Sequence, residues 1–174
     1  LGHQDWRYID LKEKTGVLYP LVDLFGIQLM PTVLVFLGCV PIWLMLEHGP
    51  RAWTGLDGVW ITVGLAAVWI ENRADNVLRK HRLDTQSAGS VLRTDVWAWC
   101  RHPNYLGEIG FWLSLAICGY ISTGSAYAWL GFALILGLFV FITIPMIDKR
   151  QLANKPEYAV YKQEVAPLVP GIKW

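Results

Sequence analysis

Apolar residues come in four long runs separated by short polar segments. From Leu24 to Leu46 no side chain is charged, and those 23 residues, rising about 1.5 Å each as a helix, cross a hydrocarbon core of about 30 Å. Further runs extend from Gly58 to Ile70, from Ile109 to Tyr127 and from Ala126 to Ile147. The second is short by itself, but it becomes a span if it begins near Thr54 and carries its polar end out of the bilayer. None of the runs has the charged face that a helix of a soluble bundle needs. The pattern predicts an all-α, polytopic membrane helix bundle with about four transmembrane helices. Short cytoplasmic helices should follow at the C-terminal end.

The punctuation agrees. Gly and Pro mark "EHGPRAWTGLDG" as the turn of a first helical hairpin and "GYISTGSAY" as the tight turn of a second. The first span contains Pro31 and Pro41, which membrane helices tolerate where neighbours or kinks satisfy the freed carbonyls. The tail "IDKRQLANKPEYAVYKQEVAPLVPGIKW" begins helical, breaks at Pro156 and resumes briefly before Pro167 and Pro170. Without a linker or internal repeat, residues 1–174 read as a single membrane domain. The polar opening without an initiating Met reads as the C-terminal part of a longer protein.

Composition sharpens the picture. Charged residues make up 17% of the chain, against roughly 25% for a soluble domain. Ten tryptophans, with Trp6, Trp43, Trp53, Trp99, Trp129 and Trp174 near span ends, suit a membrane–water boundary. The net charge of +1 hides an asymmetry. Lys and Arg number three in residues 1–16, one in 47–57, six in 71–104, none in 122–125 and five in 147–174. That alternation predicts cytoplasmic termini and a cytoplasmic 71–104 loop, in the bacterial inner membrane. Three cysteines without CxxC or Cys/His ligand spacing point to neither a disulfide nor a metal site.

Three polar clusters share the cytoplasmic side. In "WIENRADNVLRKHR", Glu71 and Asp75 share a helix face, as do Asp75, Arg79 and Arg82. Basic residues after a span are also what topology and the helix dipole favour, so anchoring and binding both fit. In "CRHPNYLGEIGFW", Pro103 suits a first helical position. The free N–H groups that follow make an anion site, with Arg101 and His102 beside it. Asn104 and Glu108 are i,i+4, and Tyr105, Glu108 and Trp112 form an i,i+3,i+7 stripe, placing an acid about 7–8 Å inside the apolar zone. Such an acid is expensive in a span; it either serves a site or pairs with an arginine to hold helices together. In the tail, Asp148, Lys149 and Arg150 leave the last span, and Tyr158 and Tyr161 follow at i,i+3. Arg150 suits a phosphate or carboxylate, while a solvated tail with interfacial tyrosines fits equally. Together the clusters describe a cytoplasmic cavity for a polyanionic or zwitterionic cofactor, with a lipid-soluble substrate arriving from the bilayer. No Walker A, GxGxxG or HExxH run is present, and nothing points to nucleic acid.

"RHPNYLGE", "ENRADNVLRKHR", "DKR" and "EYAVYKQEVAPLVPGI" resemble the superfamily that joins steroid 5-alpha reductases, sterol C14 reductases and isoprenylcysteine carboxyl methyltransferases. The nearest likeness is to bacterial proteins grouped with the steroid 5-alpha reductase C-terminal domain. The reductases bind NADPH and the methyltransferases S-adenosylmethionine. "RHP.Y.G" is shared by both branches, whereas Ala74, Asp75, Leu78, Arg79, Arg82, Asn104 and Glu108 look like the reductase branch.

The resemblance implies an NADPH-dependent reductase of a polarised C=C bond in a steroid- or isoprenoid-type lipid. It puts Asp75, Arg79 and Arg82 on the adenosine-phosphate half, and Asn104, Tyr105 and Glu108 on the nicotinamide. Arg150 and Tyr161, with neighbouring Tyr158, would close over the phosphates. Tyr105 and Glu108 are the catalytic candidates, although the resembled reductases take their proton donors from earlier helices. Two departures count against this assignment: Glu71 and Asp148 stand where the steroid enzymes have Asn and His, and acids repel phosphates. The alternatives are an S-adenosylmethionine-dependent membrane methyltransferase and a non-catalytic lipid-binding protein.

Overall fold

The computed structural model describes residues 6–85 and 89–173; Trp174 lies outside them. Helix follows helix in the order α1 (Trp6–Thr15), α2 (Tyr19–Val22), α3 (Met30–Gly38), α4 (Val40–His48), α5 (Asp57–Leu83), α6 (Pro103–Thr123), α7 (Leu130–Leu138), α8 (Ile144–Asn154) and α9 (Tyr158–Glu164), with no strand among the described residues. The protein is an all-α membrane helix bundle.

Three helical stretches, Leu11–His48, Pro103–Thr123 and Ala126–Asn154, are long and apolar enough to cross a membrane. The expected fourth, α5, does not meet that composition. Its 27 residues reach about 40 Å, but the half from Glu71 to Leu83 is dominated by charged and amide side chains. Its apolar half instead lies along α6 in the most extensive helix pair of the fold. Large apolar side chains on the long stretches face outward, including Phe36, Leu46 and Phe141, as a lipid environment requires.

The first and last stretches are not uniform. Residues Asp23–Leu29 and Phe139–Thr143 wind as π-helix, each ending two residues before a proline, Pro31 or Pro145. Proline lacks the N–H of the regular ladder and its ring crowds the carbonyl four residues back. A wider turn relieves both, and such bulges recur at functional sites. Here the second bulge carries Phe139, whose ring lies 4.8 Å from that of Tyr105.

Small residues let the helices meet, as is common where lipid removes the hydrophobic drive for association. A Cβ on Gly107 would fall 2.5 Å from the Cβ of Glu71 and 2.8 Å from the carbonyl oxygen of Ala67, so α6 rests on α5 backbone. At the α3–α7 crossing, a Cβ on Gly131 would sit 2.4 Å from backbone atoms of Gly38 and Leu37. Ile109, Ile135, Phe139, Ile144 and Leu168 form the buried apolar cluster, with Tyr105 and Trp112 packed on its flank.

Where α5 begins and α6 ends, Arg51 pairs with the buried Asp57 and donates to Ser122 Oγ at 3.0 Å. The Arg51 guanidinium, the Thr54 N–H and the Trp60 indole hold the Asp57 carboxyl well below the usual carboxylate range.

Candidate functional site

The opposite end of the bundle gathers the C-terminal turns of α5, the segment entering α6, the end of α8, and α9. Pro103 opens α6, as its fixed φ and missing N–H favour. The two residues before it are fastened to the tail: Arg101 N donates to Ala166 O at 2.8 Å and His102 N to Pro167 O at 3.1 Å. Arg101 and His102 are therefore buried, at 3% and 4% exposure, though both are polar.

Asp148 on α8 meets the Arg101 charge and bonds the His102 ring. Its Oδ2 accepts from Arg101 Nη2 at 2.8 Å and lies 3.1 Å from Lys162 Nζ. Its Oδ1 accepts from His102 Nε2 at 3.1 Å and from the Tyr158 hydroxyl at 2.5 Å. One buried carboxylate thus ties α8, α9 and the entry to α6 together. Arg101 also donates through Nη1 to the carbonyls of Lys162 and Val165, leaving its Nε buried without a partner among the described residues. Tyr161 donates to the Trp97 carbonyl and Trp97 Nε1 to Ala74 O at 3.1 Å, which locks α9 through the 95–98 turn to α5. Burial, reinforced for Tyr158 by Asp148, pushes both phenols far above their ordinary value, so they remain donors.

Around this hub lies a cavity of about 420 Å³. Arg82, Arg101, His102, Asn104 and Tyr105 line it, and so do Arg150, Tyr158 and Tyr161. The structure brings these eight residues together, across a sequence separation that motif spacing does not bridge. Asp75, Arg79 and Glu108 lie outside the lining. Glu108 keeps the Trp112 end of the expected stripe but has no place in the cavity lining. Tyr105 turns to stack on His102, with centroids 5.3 Å apart and planes 6° apart. Glu108, one turn on, instead neighbours Glu71, Asp75 and Trp112, because Gly107 draws that side of α6 onto α5. The carboxylate behind the cavity is Asp148, and its four donors answer the expectation that it would repel phosphates.

Sequence reasoning missed His81, Ser90, Trp97, Gln151 and Lys155, which also line the cavity. His81 Nε2 lies 3.2 Å from Ser90 O, and Lys155 Nζ donates to the same carbonyl at 2.7 Å. Glu157 Oε1 receives the Val91 N–H at 2.6 Å, and Arg93 Nη1 meets Glu164 Oε2 at 3.0 Å. These bonds hold residues 90–93 beside the cavity. His81 carried a usable signal, one helical turn after Leu78 and beside Arg82; Lys155 carried none beyond preceding Pro156.

Over residues 1–165 the chain matches the family described as protein of unknown function DUF1295. It is a DUF1295 protein. Uncharacterized protein C594.04c of Schizosaccharomyces pombe is 26% identical over 201 aligned residues, covering 99% of this chain and 57% of the relative. The chain thus spans a little over half the length of that relative. No solved structure matches significantly.

One thiol of this DUF1295 protein belongs to the hub. Cys100 is 1% exposed, and burial pushes it up from 9.0 to about 11. Folding favours the protonated form, so the contribution to stability is complete below pH 9.0 and is lost as pH rises through about 11. Iodoacetamide at neutral pH is expected to label Cys100 in dodecyl sulfate but not in a mild detergent. Mass spectrometry of the Cys100 peptide checks this, and equal labelling in both would contradict the packing around it.

Proposed function

We propose that this DUF1295 protein binds NADPH in the cavity and is a membrane-embedded reductase of a polarised C=C bond in a steroid- or isoprenoid-type lipid. The observation that carries the reading is the charge of the described lining: Arg82, Arg150 and Lys155 contribute cations, Arg101 being paired with Asp148 behind the wall, and no carboxylate is among the lining residues. Phosphate oxygens suit such a surface, through Arg forks and a Lys point charge. S-adenosylmethionine brings a sulfonium and an ammonium, which the same surface disfavours. A volume of about 420 Å³ is within the range of cofactor sites.

Within this reading Arg82, Arg150 and Lys155 hold phosphates, and Asn104 and Tyr105 orient the nicotinamide, as the resemblance implies. Tyr158 and Tyr161 shape the wall, their hydroxyls being committed to Asp148 and the Trp97 carbonyl. Arg101 acts from behind the surface. NADPH, when bound, supplies a hydride; the chain supplies the cationic cradle and, through Tyr105 and Ile147, an apolar side toward the bundle for the lipid. The distribution of Lys and Arg supports a cytoplasmic cavity.

Thermal unfolding of the detergent-solubilised chain tests the reading. NADPH at a hundred times its Kd stabilises by about 2.7 kcal/mol and raises the midpoint, while S-adenosylmethionine leaves it unchanged. Stabilisation by S-adenosylmethionine alone would replace the reading with methyl transfer, and no effect of either would leave a lipid-binding protein.

A further inference from the structure

We infer that Asp148 is a positioning residue that fixes the His102 imidazole, so that Nδ1 accepts a hydrogen bond from an N–H or O–H of the molecule in the cavity. Only the identity of that molecule as NADPH rests on the reading above.

Three observations converge. Asp148 and His102 are both buried, at 3% and 4% exposure, and Oδ1 lies 3.1 Å from Nε2. The same carboxylate accepts from Arg101 and Tyr158 and faces Lys162. A group surrounded by donors is an ionised acceptor, so the hydrogen between Asp148 and His102 belongs to Nε2. The ring is also held by its parallel stacking on Tyr105, and its backbone is fixed by the bond from His102 N to Pro167 O.

In a neutral imidazole with hydrogen on Nε2, Nδ1 has a lone pair. His102 lines the cavity, whose cations recognise only acceptors. An oriented Nδ1 adds the opposite sense of recognition, for a hydroxyl or an amide N–H. A dinucleotide offers both, on its riboses and its carboxamide, whereas inorganic phosphate at neutral pH offers little beyond acceptors. Asp148 thereby contributes to selection without touching the ligand.

Histidine-selective ¹⁵N NMR of the chain in detergent tests this directly, with His102→Gln identifying the His102 signals. The Nε2–H form should exceed the Nδ1–H form by about tenfold or more, as a hydrogen bond to a charged group supports. NADPH should then shift Nδ1, while inorganic phosphate should not. A dominant Nδ1–H form, or an even mixture, overturns the inference from the wild-type spectrum alone, whatever the variants do. Asp148→Asn should lose the preference and Asp148→Glu should recover it in part; a folded Asp148→Asn chain with an unchanged His102 spectrum also overturns it. A correct tautomer with no response to NADPH removes the nucleotide reading and keeps the role of Asp148.

Discussion

Replacing Asp148 by leucine lowers stability by about 3–5 kcal/mol, the usual effect of removing one partner from a buried ion pair. For a chain of 174 residues that is a fall of about 10 °C in thermal midpoint. The effect is large because of what stays behind. The Arg101 side chain is 2% exposed and would keep its charge with only carbonyl acceptors left. His102 and Tyr158 would lose their shared acceptor as well. Lys162 is the control, since its side chain is 38% exposed. Lys162→Gln should change stability by about 1 kcal/mol or less, in the range of solvated pairs. Unfolding of both variants in one detergent compares the two, and equal losses would mean that Asp148 is not the hub.

The second large effect is at the α3–α7 crossing. Gly131→Val should destabilise by about 3 kcal/mol or more, or prevent accumulation of folded protein, because overpacking here forces backbone apart. Even the first carbon of the new side chain would stand 2.4 Å from Gly38 N and Cα and from Leu37 O. No rotamer relieves a contact with backbone. Gly137 on the same helix provides the contrast, since its nearest neighbour to an added Cβ is the Phe141 ring at 3.9 Å. Gly137→Ala should be neutral or should stabilise by about 0.5–1 kcal/mol through helix propensity. Yield and thermal midpoint of the two variants decide, and a well-folded Gly131→Val chain would contradict the crossing.

Much of the architecture could be read from local pattern. The uncharged run after Asp23 becomes a spanning stretch, Pro103 opens α6, and the tail resumes as α9 after Pro156. Each depends on residues within a few turns of one another. The π-helical segments before Pro31 and Pro145 were less legible, because proline signals a broken ladder without saying how the helix accommodates it.

The site divides along the same line. Residues near one another in "CRHPNY" could be gathered from spacing, but the Asp148 pairings bridge 47 residues to Arg101 and 46 to His102. Those partners make Asp148 an anchor, where its charge alone suggested repulsion. Glu108 lies outside the cavity lining for the opposite reason. Helical periodicity placed it beside Tyr105, yet the contact of Gly107 with α5 decides which way each side of α6 faces. Lys155 and His81 meet through the carbonyl of Ser90, a backbone group that no side-chain motif encodes.

Equilibrium titration of NADPH into the purified chain and into Arg82→Gln, Arg150→Gln and Lys155→Gln tests the cavity most directly. Each lost cation should raise Kd by about tenfold or more, as hydrogen bonds to charged groups imply, with no saturable binding of S-adenosylmethionine by the unaltered chain. NADPH affinity that is indifferent to all three substitutions, or saturable S-adenosylmethionine binding in its place, would contradict the assignment.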